Sequence, residues 1–89
     1  MNYAYLVRCS DGSLYAGWTN DIEKRLKSHN AGTGAKYTRA RLPVTLAYLE
    51  TFDTKSEAMK REAALKKLTH QQKEQLALEW KRLQFADLA

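Results

Sequence analysis

The chain predicts an α+β fold: a three-stranded antiparallel sheet flanked by helices, in the order β-β-α-β-α-α. Three observations carry this expectation. Two short segments of strand character, Tyr3–Arg8 and Leu14–Trp18, are separated only by the turn CSDGS, as in a hairpin. One later segment, VTLAYLETF after Pro43, is dense in branched and aromatic residues. The remaining apolar residues recur at helical spacing, and two of those segments open on capping boxes. Hairpin-joined strands with helices segregated from them make an α+β sandwich.

In the hairpin, a three-residue loop Ser10-Asp11-Gly12 puts Gly12 at the left-handed position, where glycine has no steric cost. That loop pairs Cys9 with Ser13, Val7 with Tyr15 and Tyr5 with Gly17, so Tyr5 and Tyr15 share a face. A two-residue Asp-Gly loop puts the two tyrosines on opposite faces. Asn20 caps a helix over about Asp21–His29, with Asp21 and Glu23 in its first turn. Ile22 and Leu26 form its apolar stripe, Arg25 and His29 lie on the stripe's edge, and Glu23, Lys24 and Lys27 fall on the opposite side. NAGTGAKYT reads as a loop. TKSE at Thr54–Glu57 opens a helix to about Leu68 that places Glu62 beside Ala58 and Leu65. THQQ at Thr69–Gln72 opens a last helix with Leu76, Trp80 and Leu83 on one side and Leu78 and Phe85 off that stripe, a contact surface near the C-terminus.

At 89 residues the chain suits one domain with one modest core. A single cysteine, Cys9, makes no internal disulfide and reads as a buried strand residue, which favours a reducing compartment. No apolar run approaches the roughly 18 residues of a spanning helix, and the N-terminus lacks a signal peptide's layout, so a cytoplasmic protein without membrane contact is expected. The net charge of +5 is unevenly spread: no acidic residue lies between Glu23 and Glu50, a stretch holding Lys24, Arg25, Lys27, Lys36, Arg39 and Arg41. A one-sign surface attracts polyanions, nucleic acid above all.

Polar side chains beside the apolar stripes are the candidates for chemistry. If both helices pack near the face of Tyr5 and Tyr15, then Arg25, His29 and Glu62 converge with them. A guanidinium holds phosphate in a fork. A carboxylate with waters holds Mg²⁺ or Mn²⁺, and a tyrosine or histidine moves the proton of an attacking water. Each residue has a plainer explanation: strand aromatics for Tyr5 and Tyr15, a solvated helix face for Arg25, a helix C-terminal cation for His29, and an ion pair with Lys66 for Glu62. His29, His70 and Cys9 show no zinc spacing, and NAGTGAK lacks the lysine-hydroxyl ending of a P-loop.

From Tyr3 to about Leu76 the chain resembles a GIY-YIG nuclease domain, of the small stand-alone bacterial (UPF0213-like) kind. The first motif stands here as YAY, Tyr3-Ala4-Tyr5, and the second as YAG, Tyr15-Ala16-Gly17. DIEKRLKSHN carries the helical Arg25 and His29, and EAMKREAALK carries Glu62. HNAGTGAKYTRARLPVTLAYLETF is also similar to the nuclease subunit of eukaryotic structure-specific resolvases. The resemblance implies one site of Tyr5, Tyr15, Arg25, His29 and Glu62, with Gly17 keeping the sheet clear opposite Tyr5, and so favours the three-residue loop. It implies Glu62 as ligand of one Mg²⁺ or Mn²⁺, Arg25 on the phosphate, Tyr15 positioning water or phosphate, and Tyr5 or His29 as the general base or its helper. The asparagine that some members carry after the metal glutamate has no counterpart, since the last asparagine is Asn30.

The implied activity is hydrolysis of phosphodiester bonds, DNA first, by residues 1–78, with 79–89 as a C-terminal helical extension. Lys24, Lys27, Lys36, Tyr37, Arg39 and Arg41 are the candidate nucleic-acid contacts; the resemblance makes Tyr37, Thr38 and Arg41 phosphate or active-site contacts, with Tyr37 equally a loop anchor. No separate reading element is visible, so structure-dependent or loose cleavage is expected, or specificity supplied by a protein partner. The other reading is a binding module that kept the fold with little turnover, consistent with the replaced first motif.

Overall fold

A computed structural model describes residues 1–86. Residues 87–89, the end of the expected C-terminal extension, lie outside the described residues.

Strands β1 (Asn2–Arg8) and β2 (Leu14–Thr19) form the hairpin. The Cys9 amide donates to Ser13 O at 2.9 Å, Gly12 takes φ 85°, and Tyr5 pairs with Gly17 and Val7 with Tyr15. This is the three-residue loop, with Gly12 in the left-handed region. Asp11 sets the turn by accepting from the Ser13 amide (3.0 Å) and hydroxyl (2.6 Å). Strand β3 (Thr45–Phe52) pairs antiparallel with the other side of β1, giving the order β2-β1-β3.

Helix α1 spans Ile22–Asn30 and is capped by Asp21, not Asn20. Both residue types cap well. Asp21 takes the position because Thr19 Oγ1 accepts from its amide at 3.1 Å, and the Asp21 carboxylate then accepts from the Lys24 amide at 3.1 Å. The segment expected as a loop contains one further turn, α2 (Lys36–Arg39), too short for any periodic signature. Helix α3 (Lys55–Lys66) is capped by Thr54 and ends two residues short of the expected Leu68. The Thr69–Gln72 capping box is reciprocal, at 2.9 and 3.1 Å, and opens α4 (His70–Ala86), which runs without a break past Leu78.

The helices are not segregated to one side. Ala4, Leu6 and Ala16 bury against Leu65, Leu68 and Leu76, so α3 and α4 cover one face of the sheet. Tyr5, Val7 and Tyr15 pack with Ile22 and Leu26, so α1 covers the other. The alternation of side chains along β1 divides the two cores. Ion pairs fasten the outer helices: Arg8 grips Glu74 of α4 in a fork, with Nη1 at 2.7 Å from Oε2, and Arg61 of α3 reaches Glu50 at 2.9 Å. The expected stripe on α4 stops early. Leu76 packs on the core and Trp80 is half-buried, but Leu83 is 65% exposed because no described element packs against it. Leu78 and Phe85 are exposed as expected, and Cys9 is buried.

Candidate active site

Four elements deliver the candidate residues: β1 brings Tyr5, β2 brings Tyr15 and Gly17, α1 brings Arg25 and His29, and α3 brings Glu62. All six line one pocket of about 230 Å³, closed on one side by Gly34 and Ala35. The route to this convergence differs from the expected one. Helix α3 lies across the opposite face of the sheet, so Glu62 joins the pocket by reaching past β2, which is an edge strand. The hairpin glycine makes room: a Cβ at Gly17 would overlap the Tyr5 hydroxyl.

Beneath the pocket runs a buried polar chain. The Tyr5 hydroxyl lies 2.9 Å from His29 Nε2, and His29 Nδ1 lies 2.9 Å from Thr38 Oγ1. Thr38 Oγ1 donates to Ala35 O at 3.0 Å. Tyr5, His29 and Thr38 are each at most 2% exposed, and among the described residues no buried side-chain nitrogen or oxygen lacks a hydrogen-bond partner. Burial pushes the Tyr5 phenol far above its ordinary range, with the Arg25 charge only partly offsetting it. Burial, followed by the Arg25 charge, lowers His29 below the usual imidazole value. Tyr5 therefore starts as the phenol and His29 as neutral imidazole at neutral pH.

An aromatic wall stands beside this chain. Tyr15 meets His29 edge-on at 5.8 Å and stacks on Tyr37 at 5.7 Å and 19°. The Arg41 guanidinium sits 3.9 Å above the Tyr37 ring and bonds Asp11 at 3.0 Å and Tyr37 O at 2.8 Å. Of the expected nucleic-acid contacts, Tyr37 and Arg41 are thus engaged within the protein, tying α2 to the hairpin turn. Lys24, Lys27, Lys36 and Arg39 are exposed with no acidic partner among the described residues. Lys24 borders a second depression that shares Arg25 with the first.

Two further residues shape the site. Thr38, expected as a phosphate or active-site contact, is fully buried against His29. Gly34 carries no expectation of its own, yet a Cβ there would come within 2.6 Å of His29 Nδ1. The two glycines of NAGTGAK are the available signal. Asn30 serves the fold: its side chain donates to Val44 O at 3.1 Å and accepts from Val44 N at 2.7 Å, closing the loop onto β3.

For a metal, no cluster of three His, Cys, Asp or Glu side chains exists among the described residues. Glu62 offers a single carboxylate, its side chain 20% exposed, with Lys66 Nζ 3.7 Å away on an i,i+4 pair. One carboxylate completed by waters suits a hard divalent ion such as Mg²⁺. The fit is therefore to a water-rich ion at the pocket wall, not to an all-protein cage. No helix among the described residues is long and apolar enough to cross a membrane.

The family model of the GIY-YIG catalytic domain matches residues 1–75. A UPF0213 protein of Clostridium perfringens is 60% identical over 76 residues, covering 85% of this chain and 82% of its own. One from Halobacterium salinarum is 55% identical, covering 85% of this chain and 99% of its own. The solution structure of a UPF0213 protein from Bacillus halodurans superposes with a TM-score of 0.54 at 48% identity, over 85% of this chain and 82% of that one. Since the family match spans both tyrosine motifs, the helical arginine and histidine, and Glu62, the chain belongs to the GIY-YIG catalytic domain family, a nuclease superfamily, with small UPF0213 proteins as its close relatives.

Proposed function

We propose that this domain hydrolyses nucleic-acid phosphodiesters, DNA first, with one Mg²⁺ or Mn²⁺ held at Glu62 and loose or structure-dependent specificity. The observation that carries this reading is the buried Tyr5–His29 hydrogen bond opening into a pocket shared with Arg25 and Glu62. A bound divalent ion supplies charge to the phosphoryl oxygens and lowers the pKa of nearby water.

The chain's own residues do the rest. Arg25 holds a non-bridging phosphate oxygen in its fork. Tyr15, propped edge-on against His29, orients the phosphate or the water. Tyr5 is too weak an acid to act as a standing phenolate. Its proton instead moves onto His29 Nε2 as its oxygen takes the proton of the attacking water. The new water–phosphorus bond forms and the bond to the leaving sugar oxygen breaks, that oxygen taking a proton from solvent water; the imidazolium then gives up its proton to solvent, which restores neutral His29. Bound phosphate charge beside the pocket raises the basicity of His29 at that moment. The exposed Lys24 and Lys27 of α1 and Lys36 and Arg39 of α2 attract the backbone.

The test is nicking of supercoiled plasmid by purified protein in Mg²⁺, Mn²⁺ and chelator, alongside Glu62→Gln at matched circular dichroism. Wild type should nick only with metal, and Glu62→Gln should lose about three orders of magnitude while still binding DNA. Equal rates for the two proteins would remove Glu62 from the metal. Binding without nicking by wild type would favour the module that kept the fold and lost turnover, a reading that the replaced first motif and the Lys66–Glu62 pair support.

A further inference from the structure

The buried chain beneath the pocket has a direction, and a residue outside the family motifs sets it. A carbonyl oxygen only accepts. Ala35 O therefore requires Thr38 Oγ1 to be the donor in the 3.0 Å contact between them. A hydroxyl has one proton, so Thr38 can only accept from His29 Nδ1 across their 2.9 Å contact. That places the imidazole proton on Nδ1 and leaves Nε2 with its lone pair, 2.9 Å from the Tyr5 hydroxyl. The reverse polarity forfeits the Thr38–Ala35 bond and leaves Ala35 O with only the longer 3.2 Å contact from the Arg39 amide. The other charged or titratable groups facing this part of the molecule are Tyr5 and Tyr15 from the sheet, Arg25 from α1 and Glu62 from α3; none is a hydrogen-bond partner of Nδ1.

We propose that Thr38 is a positioning residue that fixes His29 in the Nδ1–H tautomer, so that Nε2 is kept as the acceptor for the Tyr5 proton. Which ring nitrogen of a neutral histidine carries the proton is set by the bond the other makes. Neutral imidazole in water prefers the opposite tautomer, so the site needs a device to invert that preference. Thr38 is suited to it. It is fully buried, it sits on α2 with its hydroxyl held by its own helix, and Gly34 lets the loop close onto the ring without a Cβ in the way. A serine in place of Thr38 keeps the donor and acceptor; a valine keeps the shape and loses both.

The consequence for turnover rests on the proposed nuclease reading, but the tautomer does not, and the two are measured separately. In protein labelled with ¹⁵N-histidine, long-range proton–nitrogen correlation at pH 7.5 should show His29 protonated at Nδ1 and bare at Nε2. Thr38→Val should lose that pattern and Thr38→Ser should keep it. In plasmid nicking, Thr38→Val should lower kcat about tenfold or more with KM nearly unchanged, and Thr38→Ser should recover most of it. A wild-type His29 protonated at Nε2, or a Thr38→Val protein that keeps the Nδ1–H pattern, would overturn the proposal. If Thr38→Val does not fold, Thr38→Ala replaces it with the same expectation, and the wild-type spectrum already decides against the proposal if the pattern is absent. Wild type that shows the pattern yet never nicks would sink the nuclease reading and leave the tautomer assignment standing.

Discussion

The two faces of the sheet are equally buried and built on opposite terms. On the α3–α4 face, Ala4, Leu6, Ala16 and Leu65 are at most 2% exposed and wholly apolar. On the α1–α2 face, the fully buried set includes Tyr5, His29 and Thr38, joined by hydrogen bonds. An apolar core is indifferent to direction, whereas a hydrogen-bond chain works only if every donor meets an acceptor. One strand, β1, supplies both faces by alternation, so the chemistry stands on the back of the layer that stabilises it. Glu62 belongs to both, since its helix packs on the apolar face and its carboxylate lines the pocket of the other.

The largest effects should separate the faces. Tyr5→Phe keeps the ring and removes the proton carrier, so nicking should fall by about 10² to 10⁴, while the orphaned His29 Nε2 should cost only about 1–3 kcal/mol of stability. Leu65→Ala opens a void among Leu6, Ala4 and Ala16, and should destabilise by about 2–5 kcal/mol while leaving per-molecule turnover of the folded fraction near normal. Denaturant melts and initial nicking rates on both variants decide. If Tyr5→Phe loses as much stability as Leu65→Ala, the two faces are not divided as described.

Arg25 should show a smaller effect within the polar face. Arg25→Lys keeps the charge but loses the fork, so kcat should drop about ten- to a hundredfold with a lesser change in DNA affinity. Near-normal turnover would return Arg25 to the role of a solvated helix residue.

How much of this is legible in the sequence follows the same division. The hairpin register is readable because Asp11 and Gly12 are turn residues with a physical requirement, and register then places Tyr5 and Tyr15 on one face. Both capping boxes are readable because they are local. The start of α1 is ambiguous by one residue because Asn20 and Asp21 cap equally well, and Thr19 decides between them. The face covered by α3 is not readable, because an amphipathic stripe on a helix says that it packs but not on which side of a sheet. Thr38 is not readable in its role either. Its partner lies nine residues earlier across an irregular loop, where neither helix nor strand spacing relates them.

Outside the two faces, the basic stretch should make a graded contribution. Lys36→Ala with Arg39→Ala removes two exposed cations with no acidic partner among the described residues, so the slope of log affinity against log salt should flatten by up to about 2. Arg41→Ala should flatten it little, because that guanidinium is already engaged by Asp11 and Tyr37. A larger change from Arg41 than from the pair would mean that DNA displaces Asp11. Binding titrations at four or five salt concentrations measure it.

The smallest expected effect is a pH dependence of stability belonging to the polar face alone. His29 has a folded pKa lowered by burial and then by Arg25, against an ordinary value near 6.5 in the unfolded chain. Above that value His29 is neutral in both states and its burial costs nothing in protonation. Below it the unfolded chain takes up a proton that the folded chain refuses. Stability therefore falls as pH drops from about 6.5 toward the lowered folded value, by at most about 1.4 kcal/mol per pH unit for one group. Glu74 and Asp11, whose carboxyls are held below their ordinary range by Arg8 and by Ser13 respectively, add losses of the same sign only further into acid. The window between about pH 6.5 and 5.5 is thus dominated by histidine. Urea midpoints across it should fall for wild type and for His70→Gln, whose imidazole is on the exposed surface of α4. They should fall less steeply for His29→Gln than for wild type, whatever that variant's absolute stability. An equal slope in His29→Gln would mean that the buried imidazole is not excluding a proton, and that the polar face is more open to water than its fully buried histidine implies.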